Sequence, residues 1–459
     1  MSEKHTQQQE HAAPVETETA PAMAETTTSS REEAALISSS SSTSTPTATA
    51  EAPAALGIDA EQPEEPEADA LRTAGRFEEA VKVVEEELTT IRSQLKAQPA
   101  EFKFKQNLAG TLINYSHALH NASRSNDAFA AIKESIALWR SLRETWPEKV
   151  EGHLAGTLRE YSNQLEGAGK MQDALKAVEE SLTIWRSLHK AKPAEYGEEL
   201  AEVLINHSDM MGSAGQHQNA LKSSEEAVQI YRSLHQVQPE AFVKYLASAL
   251  LCYSNALSRT GRNADALQAI GESVAIYRTV DKAQPAANSQ RYAHALATFS
   301  YRLAEAQRFE EALKAGDEGI AMLRCLGNDA EVAQNLVIRS KFLSAMGRGE
   351  ETTNSLEEAL KLYQTLHKAQ PEAYGEDVAE TLSIYSVRLY QAGRQEEAVD
   401  FARQSFQAYR ALHKAHPENH QYESMLGATR SNYTVFLMQL GTQDVDDDDE
   451  DEDVPPAYQ

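Results

Sequence analysis

The chain has 459 residues, of which 41% are hydrophobic and 25% charged, with 43 Lys and Arg against 70 Asp and Glu and a formal net charge of minus 27. Only two cysteines are present, Cys252 and Cys325, and no apolar run is long enough for a membrane-spanning helix or a signal-peptide core. This composition excludes a disulfide scaffold and gives no sign of secretion or membrane insertion, so we expect a cytoplasmic protein.

The acidic charge is concentrated near the two termini. Residues 1–69 carry fourteen acidic and two basic side chains, and residues 444–453 carry nine carboxylates, which leaves a formal charge of only minus 6 for the rest. Because a body of this kind has no cationic stripe to displace the counterions of a polyphosphate, we expect no nucleic-acid partner.

Composition divides the chain into three parts. Residues 1–66 are rich in Ser, Thr, Glu and Pro and have too few large apolar groups to offset chain entropy, so we expect a disordered leader. Residues 442–459 are too charged to fold and predict a disordered acidic tail. Residues 67–441 differ from both, because they repeat themselves.

The repeat is visible in the prolines and in what lies between them. Prolines 99, 147, 193, 239, 285, 371 and 417 are separated by 48, 46, 46, 46, 86 and 46 residues. In the unit that begins at Pro147, Leu158, Tyr161, Ser162 and Leu165 lie on one stripe of a helix, since their spacings fit a 3.6-residue period. The small hydroxyl recurs at Ser116, Ser162, Ser208, Ser254, Ser300, Ser340, Ser386 and Thr434, where we expect close approach of a neighbouring helix.

Each unit also predicts a second helix. Glycine follows the first helix in most units, as a left-handed cap would, and an acid or amide followed by alanine opens the next helix, as Asp173 and Ala174 do. The capping glycines are Gly75, Gly169, Gly215, Gly261, Gly347 and Gly393. A helix pair cannot bury its apolar stripe alone, so seven or eight pairs are expected to stack into one solenoid.

This order of Leu, aromatic, small, Gly and Ala positions resembles the tetratricopeptide repeat, with units of 46 residues instead of about 34. The nearest likeness is to long-unit arrays of the kinesin-light-chain kind, although the leader has no sustained heptads. The resemblance covers about 365 residues. It implies an all-α, right-handed superhelical solenoid of stacked antiparallel helix pairs that serves as a non-enzymatic scaffold for a protein or peptide partner.

The resemblance also implies that first helices line an inner groove, into which two positions of each unit point. These positions offer amides that can form hydrogen bonds with a peptide backbone. The same residue types are equally compatible with a solvent-exposed surface that binds nothing. A carboxylate clamp of the chaperone-binding type is disfavoured, because an acid at Asp209 would repel its ligand. The polar groove candidates are His117, Arg159, Asn163, Asp209, Asn255, Tyr301 and Lys341.

No residue pattern predicts catalysis, a metal or a cofactor. The recurring His189, His235, His367 and His413 stand 46 or more residues apart, too far across stacked helices to share one ion, and suit helix ends instead. Neither cysteine has the partners of a nucleophile. A column of arginines predicts a repeated salt bridge or packing element. Its members are Arg92, Arg140, Arg186, Arg232, Arg278, Arg324 and Arg410.

Two irregular features remain. The unit from Cys325 to Thr353 has lost six residues and its proline, so we expect the curvature of the superhelix to change there. The change could come from neutral drift, or it could mark a hinge or a special docking surface. Pro455, Pro456 and Tyr458 form a PPxY motif, which a WW domain binds as a polyproline II segment. The scaffold function has two alternatives. The PPxY motif indicates a ubiquitin-pathway adaptor that recruits a WW-domain ligase, and the other alternative is a subunit of an assembled signalling enzyme.

Overall fold

The computed structural model describes residues 66–99, 101–283 and 289–441. The leader up to residue 65 and the acidic tail from 442 onward lie outside these ranges, and so does the PPxY motif. All regular secondary structure in the described ranges is α-helical, as the sequence predicts. The helices are α1 (Pro66–Thr73), α2 (Phe77–Ala97), α3 (Phe102–Asn121), α4 (Ser125–Arg143), α5 (Pro147–Gly167), α6 (Met171–Ala191), α7 (Pro193–Ser213), α8 (His217–Val237), α9 (Pro239–Arg259), α10 (Asn263–Ala283), α11 (Ser289–Glu305), α12 (Phe309–Leu326), α13 (Asp329–Ala345), α14 (Gly349–Ala369), α15 (Pro371–Gln391), α16 (Gln395–Ala415) and α17 (His420–Leu440).

Contacts divide the chain into two compact groups, whose described parts are residues 66–348 and 349–441. The first group contains α1 to α13 and the second α14 to α17. Within each group every helix packs on the next one along the chain. Most connections are only three residues long, so consecutive helices are antiparallel. The boundary at residue 348 falls inside the shortened unit.

Left-handed residues end the first helices, as predicted at the glycines. Gly169 has φ +71°, and the next amide, that of Lys170, donates to the Leu165 carbonyl at 2.8 Å. This is the Schellman arrangement, which satisfies carbonyls at the helix end. Ser123 (φ 60°) and Gln307 (φ 59°) adopt the same conformation in the two units that lack the glycine, which the sequence pattern does not reveal.

Small residues bring the paired helices together. The hydroxyls of Ser116, Ser208, Ser254 and Ser300 each donate to an alanine carbonyl on the following helix, which confirms the expected close approach. The other four predicted hydroxyls donate within their own helices, so these bonds do not join the pair there. They are Ser162, Ser340, Ser386 and Thr434, bonded to the carbonyls of Arg159, Val337, Ser383 and Arg430. A second column of serines, which the sequence analysis did not predict, lies on the second helices and donates to carbonyls of the first helices. Its members are Ser135, Ser181, Ser273 and Ser405, bonded to the carbonyls of Ala109, Ala155, Ala247 and Ala379.

Ion pairs join successive second helices in the first group. Each predicted arginine from residue 92 to 278 reaches a glutamate on the next second helix, at N–O distances of 2.5–2.8 Å. Since these side chains are half exposed, each pair contributes at most about 1 kcal/mol to stability. The pairs are Arg92–Glu134, Arg140–Glu180, Arg186–Glu226, Arg232–Glu272 and Arg278–Glu318.

Candidate functional site

The first helices of the first group form a continuous face. Contacts join α5 to α7, α7 to α9, α9 to α11 and α11 to α13, in addition to the contacts of each with its second helix. Side chains therefore meet across neighbouring first helices, with a sequence offset of 43 residues in the regular units. We call this surface, formed by α3, α5, α7, α9, α11 and α13, the groove face.

Two predicted residues, His117 and Arg159, take part in charged pairs on this face. His117 lies 3.5 Å from Glu160, and Arg159 binds both Glu160, at 3.2 Å, and Glu202. Burial would raise the pKa of Glu160, but His117 and Arg159 outweigh it and lower that pKa to about 2. Burial likewise opposes the charge of Arg159, yet the two glutamates raise its pKa above the usual value. All these side chains remain partly exposed.

Two more predicted residues, Asn163 on α5 and Asp209 on α7, pair with side chains of the next first helix. The Asn206 amide donates to the Asn163 carbonyl oxygen at 3.2 Å, and the Cys252 thiol donates to Asp209 at 3.4 Å. Burial raises the pKa of Asp209 to about 6, although the thiol hydrogen bond and the charge of Arg259 oppose the shift. Glu166 also has a raised pKa, about 7, from burial and then from the charge of Asp209. The sequence did not single out Glu166.

The remaining candidates lie further along the face. Asn255 is 4% exposed, and its amide nitrogen has no hydrogen-bond partner among the described residues. Tyr301 on α11 is half-buried, with the Arg302 guanidinium 5.4 Å from its ring centre. Lys341 on α13 is half-buried as well. His294, which the sequence analysis did not single out, is bonded at 2.6 Å to Glu331 of α13.

Glu160, Glu202, Asn206 and Cys252 are the groove residues that sequence reasoning missed. They stand three residues before the predicted positions of the next unit, so the partners are offset by 43 residues and not by the 46 of the repeat. That offset depends on how adjacent first helices are staggered. A search for complementary side chains near a 43-residue separation could have found them.

Clusters of metal-ligand side chains and membrane-spanning helices are both absent from the described ranges. No cluster of three or more His, Cys, Asp or Glu side chains there could hold a metal ion. Among the recurring histidines, His235 contacts the Pro239 carbonyl at 3.0 Å, which is a helix-end role. None of the described helices combines the length and apolarity needed to cross a membrane.

Sequence comparison finds the tetratricopeptide repeat in one segment. Residues 378–422, which span part of α15, all of α16 and the start of α17, match this family model. No match was found among curated proteins.

Several solved structures are similar to this chain. BtubC from P. vanneervenii has 17% identity and a TM-score of 0.45, over 53% of this chain and 92% of that chain. RapI in its apo form has 13% identity and a TM-score of 0.48, over 67% and 99%. A Rap protein complexed with competence and sporulation factor has 15% identity and a TM-score of 0.44, over 78% and 90%.

The segment matched by the family model holds the same helix arrangement that recurs from α3 onward. First helices begin at a proline in α5, α7, α9 and α15, and left-handed residues separate the two helices of a pair throughout. Residues 378–422 therefore carry a tetratricopeptide repeat, and the described residues form all-helical arrays of similar helix pairs.

Proposed function

We propose that the chain is a protein-interaction scaffold that binds a protein or peptide partner on the groove face. The observation that supports this most directly is the Asn255 amide, which is buried on a first helix and finds no hydrogen-bond partner in the part of the chain that the structure describes. Leaving a buried donor unbonded costs about 1–3 kcal/mol, and a carbonyl of a bound backbone would recover it once the Asn255 side chain rotates towards the groove. Asn163, in the equivalent position two units earlier, is half-buried and accepts a hydrogen bond from Asn206 through its carbonyl oxygen.

The test is partner recovery by the full-length chain carrying Asn163→Ala and Asn255→Ala. Because backbone recognition depends on these amides, cross-linked partners should be recovered at less than a tenth of the unmodified level. The matched control carries Gln172→Ala and Gln229→Ala, which remove two exposed amides from second helices. Equal recovery by both double variants would remove the groove face as the contact surface.

The PPxY motif supports a second, compatible function as an adaptor for a WW-domain ligase. The motif starts two residues after the acidic run ends at Asp453. Its residues Pro455, Pro456 and Tyr458 are of the types that a WW domain recognises. Binding of an isolated WW domain to the full-length chain should disappear with Tyr458→Ala and persist with Gln459→Ala. The adaptor function would be contradicted if the WW domain did not bind the unmodified chain, or if it bound the Tyr458→Ala and Gln459→Ala variants equally.

A further inference from the structure

A cleft of about 470 Å³ lies between the second helices α8 and α10, which is within the size range of ligand sites. Its apolar part consists of the buried Leu246 of α9 and the half-buried Ile276 of α10. The ion pair of Arg232 and Glu272 also lines it. Because Arg232 and the lining residue Ala275 are exposed, the cleft opens to solvent.

In the next unit the chain fills the corresponding place with a tyrosine of its own. Tyr292 of α11 stands 46 residues after Leu246 and is 3% exposed. Its hydroxyl donates to Oε1 of Glu318 and accepts a hydrogen bond from Nε of Arg278 at 3.0 Å. Arg278 and Glu318 are the ion pair that stands 46 residues after the pair in the cleft. A tyrosine side chain therefore fits beside an ion pair of this kind.

The earlier unit has the same ion pair but no hydroxyl. Arg232 binds Glu272 through Nη2 and Oε2 at 2.7 Å. Nε of Arg232 and Oε1 of Glu272 make no hydrogen bond within the described residues, although the corresponding atoms one unit later bind the Tyr292 hydroxyl. A phenol hydroxyl can donate to a carboxylate and accept from a guanidinium at the same time.

The residue at position 275 also keeps the space open. Ala275 has the counterpart Ala321 in the unit that contains Tyr292, so the same small residue accompanies the tyrosine there. In the preceding unit the corresponding residue is the longer Gln229. The cleft thus has the ion pair and the alanine of the tyrosine-containing unit, and Leu246 leaves the ring missing.

We propose that this cleft between α8 and α10 is a docking surface for a tyrosine side chain of a partner protein. The ring packs on Leu246 and Ile276, and the hydroxyl donates to Glu272. The same hydroxyl accepts a hydrogen bond from Nε of Arg232, so both polar contacts are charge-assisted. Since the cleft lies between second helices, it is a contact surface separate from the groove face and does not depend on the function proposed there.

The test measures, by fluorescence anisotropy, the binding of a labelled pentapeptide with a central tyrosine flanked by glycines to the full-length chain. The same peptide with phenylalanine should bind about tenfold more weakly, because the two charge-assisted hydrogen bonds are lost. The peptide with phosphotyrosine should also bind more weakly, since its phosphate is repelled by Glu272.

Two variants of the chain close the cleft. Ala275→Gln introduces the longer side chain of the preceding unit and should weaken binding of the tyrosine peptide about tenfold. The matched control, Ala321→Gln, makes the same change at the exposed counterpart and should bind as the unmodified chain does. Leu246→Tyr should reproduce the arrangement of Tyr292 and abolish binding while circular dichroism shows the same helix content. Because Ala275 is exposed, its substitution tests the cleft even if Leu246→Tyr does not fold.

The proposal would be overturned if the tyrosine peptide did not bind, if the phenylalanine peptide bound equally well, or if the two alanine variants bound the tyrosine peptide equally. Tighter binding of the phosphotyrosine peptide would assign the cleft to a phosphate group and overturn it too. A Tyr458→Ala chain that binds the peptide more tightly than the unmodified chain would identify the chain's own tail as the occupant. Tighter binding of p-cresol than of the peptide would identify a free phenol, and either result would overturn the partner assignment.

Discussion

Asp209 gives the clearest stability prediction, because it is an acid held in a site that disfavours its charge. The pKa rises from 3.8 to about 6, owing first to burial. Between these two values the folded chain keeps the proton that the unfolded chain has lost, so stability falls as the pH rises through this window. A shift of about 2 pH units corresponds to a cost of up to about 3 kcal/mol above pH 6.

Asp209→Asn should remove that cost. The amide has nearly the same volume and keeps an oxygen to accept the Cys252 thiol hydrogen bond, but it carries no charge. We expect the variant to be more stable than the unmodified chain by about 1–3 kcal/mol at pH 8 and equally stable at pH 4. The range allows for the favourable interaction with Arg259 that the variant also loses.

Urea unfolding followed by circular dichroism at pH 4, 6 and 8 measures this difference, provided that the dependence on urea concentration is the same for both proteins. Asp173→Asn is the matched control, since Asp173 is 61% exposed and pairs only with Lys176 of its own helix. A stability difference that does not change with pH, or a variant less stable than the unmodified chain at pH 8, would refute the reasoning.

Three further predictions concern the repeat framework. Ser123→Gly and Gln307→Gly should each raise the free energy of unfolding by about 1 kcal/mol, since glycine adopts positive φ without strain; a lower urea midpoint would contradict this. Ser254→Ala should lower the free energy of unfolding by about 1 kcal/mol, because the hydroxyl donates to the Ala266 carbonyl on the neighbouring helix. An unchanged melting temperature would show that this hydrogen bond does not contribute to stability. A double-mutant cycle on Arg186 and Glu226 should give a coupling energy below about 1 kcal/mol that decreases with salt; a salt-independent value would count against a surface ion pair.

The sequence predicts the helix pairs well because the signals are local. Apolar spacings of three and four residues specify the buried stripe, and a glycine such as Gly169 ends the helix whatever lies beyond it. The same reasoning misses Ser123 and Gln307, whose left-handed backbone is imposed by the packing of the flanking helices and not by their own preference.

The groove is less predictable because its pairs depend on the stagger of neighbouring helices. Arg159 and Asn163 are named correctly as polar positions on a first helix, but their partners Glu202 and Asn206 become evident only when α5 and α7 are placed side by side. Glu166 illustrates the same point, since nothing in its local sequence indicates that burial and Asp209 raise its pKa to about 7.

The two sets of inter-helix pairs differ in a way that bears on function. Between successive second helices the same pair, arginine with glutamate, recurs five times from Arg92–Glu134 to Arg278–Glu318, as expected where identical packing must be maintained. Between first helices the geometry is equally regular, yet the chemistry changes at every step: His117 with Glu160, Asn163 with Asn206, Asp209 with Cys252. One repeated pair would also be sufficient to pack the first helices against each other. Stacking alone therefore does not account for the change of residue types from one unit to the next. A ligand that lies across several units and presents a different group to each one would account for it, and this supports the proposal that the partner binds on the groove face.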